Sequence, residues 1–435
     1  MLVGALLCVA APGVPRAVAA PDVPAYAFAD DVQDAQAAKS TAGADSLRSG
    51  ATYRSTLPAG EKAYYRLTLD GKSTTYVSVT AVPGSGATPA VADGISVSIQ
   101  DANSATCSSD SATVGAALSP QPVTALAARE IRPGMGLCQD PGTYYVVVER
   151  LDTGTGEGSA DPWTLELAPV SEPALAKAAA TTGPGAWNSA TPAPPAGEPV
   201  SRPGGAGFSR AVAVQPGVWR DEAVPGETVF YKVPVGWGQQ LYAEAEVSSA
   251  AAGRDPGTAY VVDALELTLY NPVRAKVEAR GIGYAGTQKS ASLDPVPPVR
   301  YGNRYAPTDP VSSLRFAGSY YLVVHLASGI GEQFGDGPYE VTLRVRLDGT
   351  AEAGPGYLGQ SVPHGAIATG TLGDDGDGTG VAGGADPVMT AVAVGGIGTG
   401  SALLLFLGVW TLTARRRTPA RSAQAARSAR SAQSA

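Results

Sequence analysis

His325 and His364 are the only two imidazoles in the 435 residues. His325 follows a run of tyrosine and branched apolar residues on the face of Tyr321 and Val323, which places it at the surface of a strand rather than beside a nucleophile. His364 sits in a glycine-rich spacer. A serine hydrolase would need GxSxG, a zinc hydrolase HExxH or a paired-cysteine ligand set, and a nucleotide enzyme a phosphate-binding glycine loop. No GxSxG, HExxH, paired-cysteine ligand set or GxxxxGK[ST] loop occurs in either domain. Glu244 and Glu246, spaced i, i+2, share one face of a strand and read as the solubility of that face. Asp374, Asp375 and Asp377 invite a calcium site, but an EF-hand loop needs further ligands and a bidentate Glu at its twelfth position, so a solvated spacer is expected. The expectation is therefore a protein that is not an enzyme and carries no metal and no cofactor.

Three other groups of residues have types that could act. Cys107 and Cys138 are the pair left once Cys8 departs with an N-terminal signal, and outside a membrane such a pair reads as a disulfide, the alternative being two free thiols. The stretch "VRYGNRY" supplies Arg300, Tyr301, Asn303, Arg304 and Tyr305 in a long loop after "PVPP". Arg and Tyr are the types that anchor interfaces and stack on planar groups or sugars, so these five form a candidate binding loop, with an inter-domain or edge-covering contact as the competing reading. Gly396 and Gly400 form a GxxxG that lets two membrane helices approach closely, a candidate for helix pairing.

The elements that must position these residues are legible as a repeat. "PAGEKAYYRLTL" (58–69) aligns with "VPGETVFYKVPV" (224–235) at an offset of 166, "GISVSIQDA" with "ALELTLYNP" at 170, and "GTYYVVV" (142–148) with "GSYYLVV" (318–324) at 176. Offsets that grow stepwise mean loop insertions between segments that keep their order, hence two tandem copies of one domain. Each segment alternates with period two. Tyr144, Val146 and Val148 are expected inward and Tyr145, Val147 and Glu149 outward; Tyr320, Leu322 and Val324 repeat the inward set. Glycine- and proline-rich turns separate the strands, and no long helical pattern interrupts them. The fold class expected is all-β: two tandem antiparallel, jelly-roll-like β-sandwiches, each packing on one side only, plus one C-terminal transmembrane helix.

The ends supply a topology. Residues 1–19 end in Ala17-Val18-Ala19, a small-x-small pattern before an expected signal-peptide cleavage. From Val388 to Leu412 the chain runs 25 residues without a charge and is followed by six arginines and no acid. This is enough to span a hydrocarbon core of ~30 Å, and the positive-inside rule puts the tail in the cytoplasm; a buried core helix is the alternative. The expected organisation is signal peptide 1–19, lead-in 20–45, first sandwich 46–170, Pro/Ala/Gly linker 171–211, second sandwich 212–348, Gly/Asp spacer 349–387, transmembrane helix 388–412 and basic tail 413–435. Residues 20–387 carry 24 Lys and Arg against all 39 Asp and Glu, a net of −15, which repels nucleic acid. The partners expected are the lipid bilayer and an envelope protein or glycan.

"AGEKAYYRL" and "PGETVFYKV", a middle apolar strand, and a late "GTYYVVV" followed by "WTLEL" or "YEVTL" together resemble the bacterial pre-peptidase C-terminal domain, a secreted β-sandwich. The resemblance covers both copies. It implies a non-catalytic module of exported proteins; the protease usually attached is absent, and the calcium site of some relatives finds no matching acidic cluster here. Arg outnumbers Lys 24 to 7, a composition of actinobacterial type. The resulting expectation is a plasma-membrane, type I, single-pass protein that binds or scaffolds outside the cell. A membrane-complex subunit that senses or gates, held through its transmembrane helix, is the alternative.

Overall fold

A computed structural model of the chain describes residues 23–84, 86–151, 161–179, 181–250 and 259–369. The signal peptide, the apolar segment 388–412 with Gly396 and Gly400, and the basic tail lie outside the described residues. Among the described residues no helix is long and apolar enough to cross a membrane.

The first copy comprises β1 (Gln33–Asp34), β2 (Asp45–Leu47), β3 (Tyr53–Leu57), β4 (Lys62–Leu69), β5 (Thr74–Val82), β6 (Gly94–Asp101), β7 (Thr106–Thr113), β8 (Val123–Arg129), β9 (Gly142–Leu151) and β10 (Trp163–Glu172). The second comprises β11 (Val200–Ser201), β12 (Val212–Ala213), β13 (Gly217–Ala223), β14 (Thr228–Val235), β15 (Gln240–Val247), β16 (Val261–Tyr270), β17 (Lys276–Tyr284), β18 (Lys289–Ser292), β19 (Gly318–Leu326) and β20 (Tyr339–Asp348). Each copy folds into two five-stranded sheets. In the first the orders are β1-β3-β10-β5-β8 and β2-β4-β9-β6-β7; in the second they are β11-β13-β20-β15-β18 and β12-β14-β19-β16-β17. Pairing is antiparallel except at the short leading strands, where β1 runs parallel to β3, β2 to β4, β11 to β13 and β12 to β14. Those leading strands cross from one sheet to the other before the main strands begin.

Alternation places the cores. Tyr65, Leu67, Val77, Val79, Val97, Val146 and Leu165 meet between the first pair of sheets; Tyr231, Val233, Leu241, Leu267, Leu322 and Val345 meet between the second. The copies also repeat in polar detail. The hydroxyl of Tyr144 donates to the Asp140 carbonyl at 2.7 Å and that of Tyr320 to the Phe316 carbonyl at 2.8 Å. The first tyrosine of each pair is thus a buried post tied to the strand's approach.

Three expectations about the surface fail, two of them for one reason. Val147 is buried, and so are Val323 and His325, the last only 1 % exposed, although all three point away from their own sandwich. Val323 and His325 lie against other segments, because one sheet face of each copy is covered by the neighbouring copy. Parts of the connections are packed as well. The lead-in contributes β1 and the buried Ala35 and Ala44. The linker supplies β11 and inserts Phe208 among Phe230, Tyr270 and Val323. Of the Gly/Asp spacer, residues 349–369 return to the first copy, where Ser171 and Val362 form a bridge and Ile367 is fully buried.

Candidate functional site at the seam between the sandwiches

The outer face of β1-β3-β10-β5-β8 lies against the outer face of β12-β14-β19-β16-β17. Alternation puts Tyr76, Ser78, Thr80, Thr124, Glu166, Val170 and Glu172 on the first of these faces, and all are buried. Residues of these polar types would be solvated on a free sheet; here each must find a partner or lose hydration uncompensated. Three carboxylates of the first copy meet three arginines of the second. Glu172 pairs with Arg304 at 2.7 Å, Glu130 with Arg315 at 2.9 Å, and Glu166 with Arg274. Around them Tyr76, Ala128 and Val170 pack on Val273, Phe316 and Ile367, with the Tyr76 and Phe316 rings edge to face at 5.3 Å.

Glu172 is the centre of this network. Its Oε1 accepts from Arg304 at 2.7 Å and from the Tyr357 hydroxyl at 2.9 Å; its Oε2 accepts from the Tyr76 hydroxyl at 2.8 Å and from a second Arg304 nitrogen at 3.5 Å. One carboxylate therefore gathers β5, the 3₁₀ turn Tyr301–Tyr305 and the returning segment. Burial works against the Arg304 charge, but Glu172 more than offsets it and raises the guanidinium pKa above its ordinary value. Burial, reinforced by Glu172, likewise raises the Tyr357 phenol. Burial alone would also raise the Glu130 carboxyl, yet Arg315 and Arg132 hold it below the usual carboxylate range. Charge-assisted, forked bonds of this kind are the strong ones.

Beside the network a cleft of about 200 Å³ opens between the copies, lined by Pro24, Tyr26, Pro83, Gln121, Thr228 and Phe230 among others. The N-terminal strap forms one wall: the Tyr26 ring stands edge-on to Phe230 at 5.8 Å, and the Ala27 amide donates to the Ala206 carbonyl at 2.9 Å. Thr228 opens a row across the sheet, because it is the cross-strand neighbour of His325, which in turn neighbours Glu266. Hydroxyl, imidazole and carboxylate in a row invite a nucleophile–base–acid reading. The Thr228 hydroxyl and His325 Nδ1 are 2.9 Å apart. The third part is missing, since among the described residues His325 Nε2 has no partner and Glu266 accepts from the Thr268 hydroxyl instead. Burial pushes the imidazole down to about 4, making it a weak base, and a triad needs its base oriented by the acid.

The residues expected from sequence to form a binding loop are mostly consumed by the seam. Arg304 is bound to Glu172 and its guanidinium stacks on the Tyr301 ring at 3.5 Å. Asn303 is fully buried and its amide donates to the carbonyls of Pro298 at 2.9 Å and Leu314 at 2.8 Å. Tyr305 is half-buried, and Arg300 stays exposed, 3.8 Å from Glu352. Cys107 and Cys138 form the disulfide, with S–S 2.06 Å. Glu244 and Glu246 share Arg344, each at 3.3 Å, and His364 is exposed. Glu130, Glu166, Glu172, Arg274 and Arg315 carry the seam and were not legible, because an outward acid or a loop arginine looks the same whether water or another domain faces it.

No family model matches the chain, and no curated protein matches it. Among solved structures it is similar to a triple jelly-roll protein of the turret assembly of an archaeal virus, at 13 % identity over 68 % of this chain and 58 % of that one, with a TM-score of 0.16. It is similar to tripeptidyl peptidase 2 at 9 % identity over 69 % of this chain and 24 % of that one, TM-score 0.20. It is also similar to the N-terminal CBM22-1–CBM22-2 tandem of Paenibacillus barcinonensis Xyn10C at 10 % identity over 67 % and 84 %, TM-score 0.17. The chain thus spans less than two thirds of the first two. With TM-scores of 0.20 or less, none of the three bears on what this chain does, and the fold rests on its own sheets: an all-β pair of sandwiches.

Proposed function

We propose that this protein is a single-pass envelope protein whose two sandwiches act outside the cell as one non-catalytic binding or scaffolding body. The observation that carries the reading is the clasp on Glu172, where a single carboxylate holds donors from β5, the 3₁₀ turn Tyr301–Tyr305 and the returning segment. A seam of this kind fixes the geometry between two domains that the sequence alone would leave swinging on a linker, and fixed geometry is what a scaffold or two-domain binder requires. The uncharged run 388–412 followed by six arginines supports the anchor, and the small-x-small site before Ala20 supports export.

The full chain expressed in bacterial membranes should stay in the pellet after a carbonate wash and lose its outer part to externally added protease. Release by carbonate would remove the anchor from the reading. Photo-crosslinking from the exposed Arg300 and the half-buried Tyr305 positions tests partner capture, and turnover of any substrate by the purified chain would overturn the non-catalytic assignment. The complex-subunit reading rests on the GxxxG of Gly396 and Gly400; capture lost on Gly396→Leu with Gly400→Leu, and kept on Arg300→Ala, would favour it.

A further inference from the structure

At one end of β16 and β17 several unfavourable features converge without a hydrogen bond or ion pair among the described residues to offset them. β17 is an edge strand, hydrogen-bonded to β16 alone, and its Gly281 and Gly283 stand two residues apart on one face. Glycine within a strand loses backbone entropy and packs nothing, and it marks a place where something approaches the backbone closely. Here the approaching groups are Tyr260, whose hydroxyl lies on Gly283 where any β-carbon would collide with it, and Asp263, whose Oδ1 is 2.6 Å from where a β-carbon of Gly281 would stand. The register of β16 on β17 shifts between Val261 and Leu265, a bulge of the kind that re-aims side chains. Within it Asp263 has φ +43°, a backbone that L residues avoid. An aspartate commonly takes up such a backbone to hydrogen-bond its own main chain. Asp263 makes no hydrogen bond or ion pair among the described residues, and neither does Tyr260, which is 57 % exposed beside Val262 at 51 %.

We propose that Tyr260, Asp263 and the glycine shelf of β17 form a binding site for a neutral saccharide, an inference that rests on the binding reading above and gives it a ligand class. The exposed phenol ring offers an apolar face to the C–H face of a sugar ring, with a polar tip for its hydroxyls. Asp263 accepts from a sugar hydroxyl, and the unpaired N–H and C=O groups along the free edge of β17 supply further donors and acceptors. Charge selects against acidic sugars: Glu266 is the cross-strand neighbour of Gly281, so a second carboxylate stands next to Asp263. A metal ion fits poorly, since among the described residues no group of three or more His, Cys, Asp or Glu comes together.

The test uses the full chain in lipid nanodiscs, titrated calorimetrically with cellohexaose, laminarihexaose and chitohexaose. At least one should bind, Tyr260→Ala should weaken that binding by about tenfold or more, Tyr260→Trp should restore it, and Gly283→Val should weaken it by displacing the phenol from the shelf. Unchanged thermal unfolding of Tyr260→Ala separates a lost contact from a lost fold, since the residue is exposed. Binding that Tyr260→Ala leaves intact overturns the site. Failure of all three saccharides to bind, with photo-crosslinked partner capture retained in membranes, overturns the saccharide inference and leaves the binding reading standing.

Discussion

Glu172 and His325 show how much a single buried polar group can decide. Removing one partner of a buried ion pair leaves the other charge dry and uncompensated, which costs about 3–5 kcal/mol. Arg304→Ala should therefore destabilise the chain by that order in urea unfolding, and a double-mutant cycle with Glu172→Gln should show strong coupling rather than additivity. His325 gives a pH signature. Its folded pKa is pushed from 6.5 to about 4 by burial, only partly opposed by the Glu227 carbonyl, so between those values the unfolded chain binds a proton that the folded chain refuses. The stability tied to this group is fully present above pH 6.5 and falls as the pH drops toward 4, by up to about 3 kcal/mol. Glu227, its carboxyl raised by burial, works in the opposite direction, since its folded form binds the proton more readily. Comparison with His325→Gln isolates the imidazole: the variant should lose most of the difference in unfolding midpoint between pH 7 and pH 5. An unchanged difference would mean that His325 is not the titrating group. Neither residue could have been recognised from the sequence, where Glu172 ends a strand as an ordinary outward acid and His325 occupies the outward position that Glu149 holds in the first copy.

At the scale of elements, the first copy protects an edge that the second leaves open. Asp110 and Ser108 on β7 accept from the amides of Leu126 at 3.0 Å and Ala128 at 2.6 Å on β8. Side chains of one edge strand thus occupy donors of the next, one of the ways an edge is blunted against adventitious pairing. The disulfide fastens β7 to the loop after β8 across a sequence separation of 31. On the chain-entropy model a loop of this length is worth about 3–4 kcal/mol, so Cys107→Ser with Cys138→Ser should lower the unfolding free energy by that order; a loss below ~1 kcal/mol would mean that the unfolded loop is already constrained. The pairing was legible on the expectation that Cys8 leaves with a signal, since Cys107 and Cys138 then allow one combination. The strands were legible from alternation, as in Tyr65, Leu67 and Leu69. The packed linker was not, because Ala, Pro and Gly carry no period whether they hang free or lie along a sheet.

For the whole molecule the seam is head-to-tail: one kind of sheet face in the first copy meets the other kind in the second. Such contacts propagate into filaments unless the end faces differ. The repeat offsets show that they do. Arg274 has Ser104 as its counterpart, at matching positive φ values of 64° and 65°, Arg315 has Gln139, and Glu166 has Thr342. At these three positions the open faces lack the charges that would extend the stack, as terminal repeats are atypical in repeat proteins, although Asp348 keeps a carboxylate at the counterpart of Glu172. The two sandwiches should unfold in one calorimetric transition, and Arg304→Ala with Arg315→Ala should split it in two; two transitions in the wild type would show that the seam does not couple them.

Local sequence determined the strands, the copy number, the inward faces and the disulfide, because period-two alternation and residue type act through neighbours a few positions away. Only the tertiary structure decided that polar outward faces become interior, that the Arg and Tyr loop serves as a clasp, and that parts of the linkers lie packed. Those outcomes depend on which face meets which across separations such as the 132 residues between Glu172 and Arg304, and no local pattern encodes them.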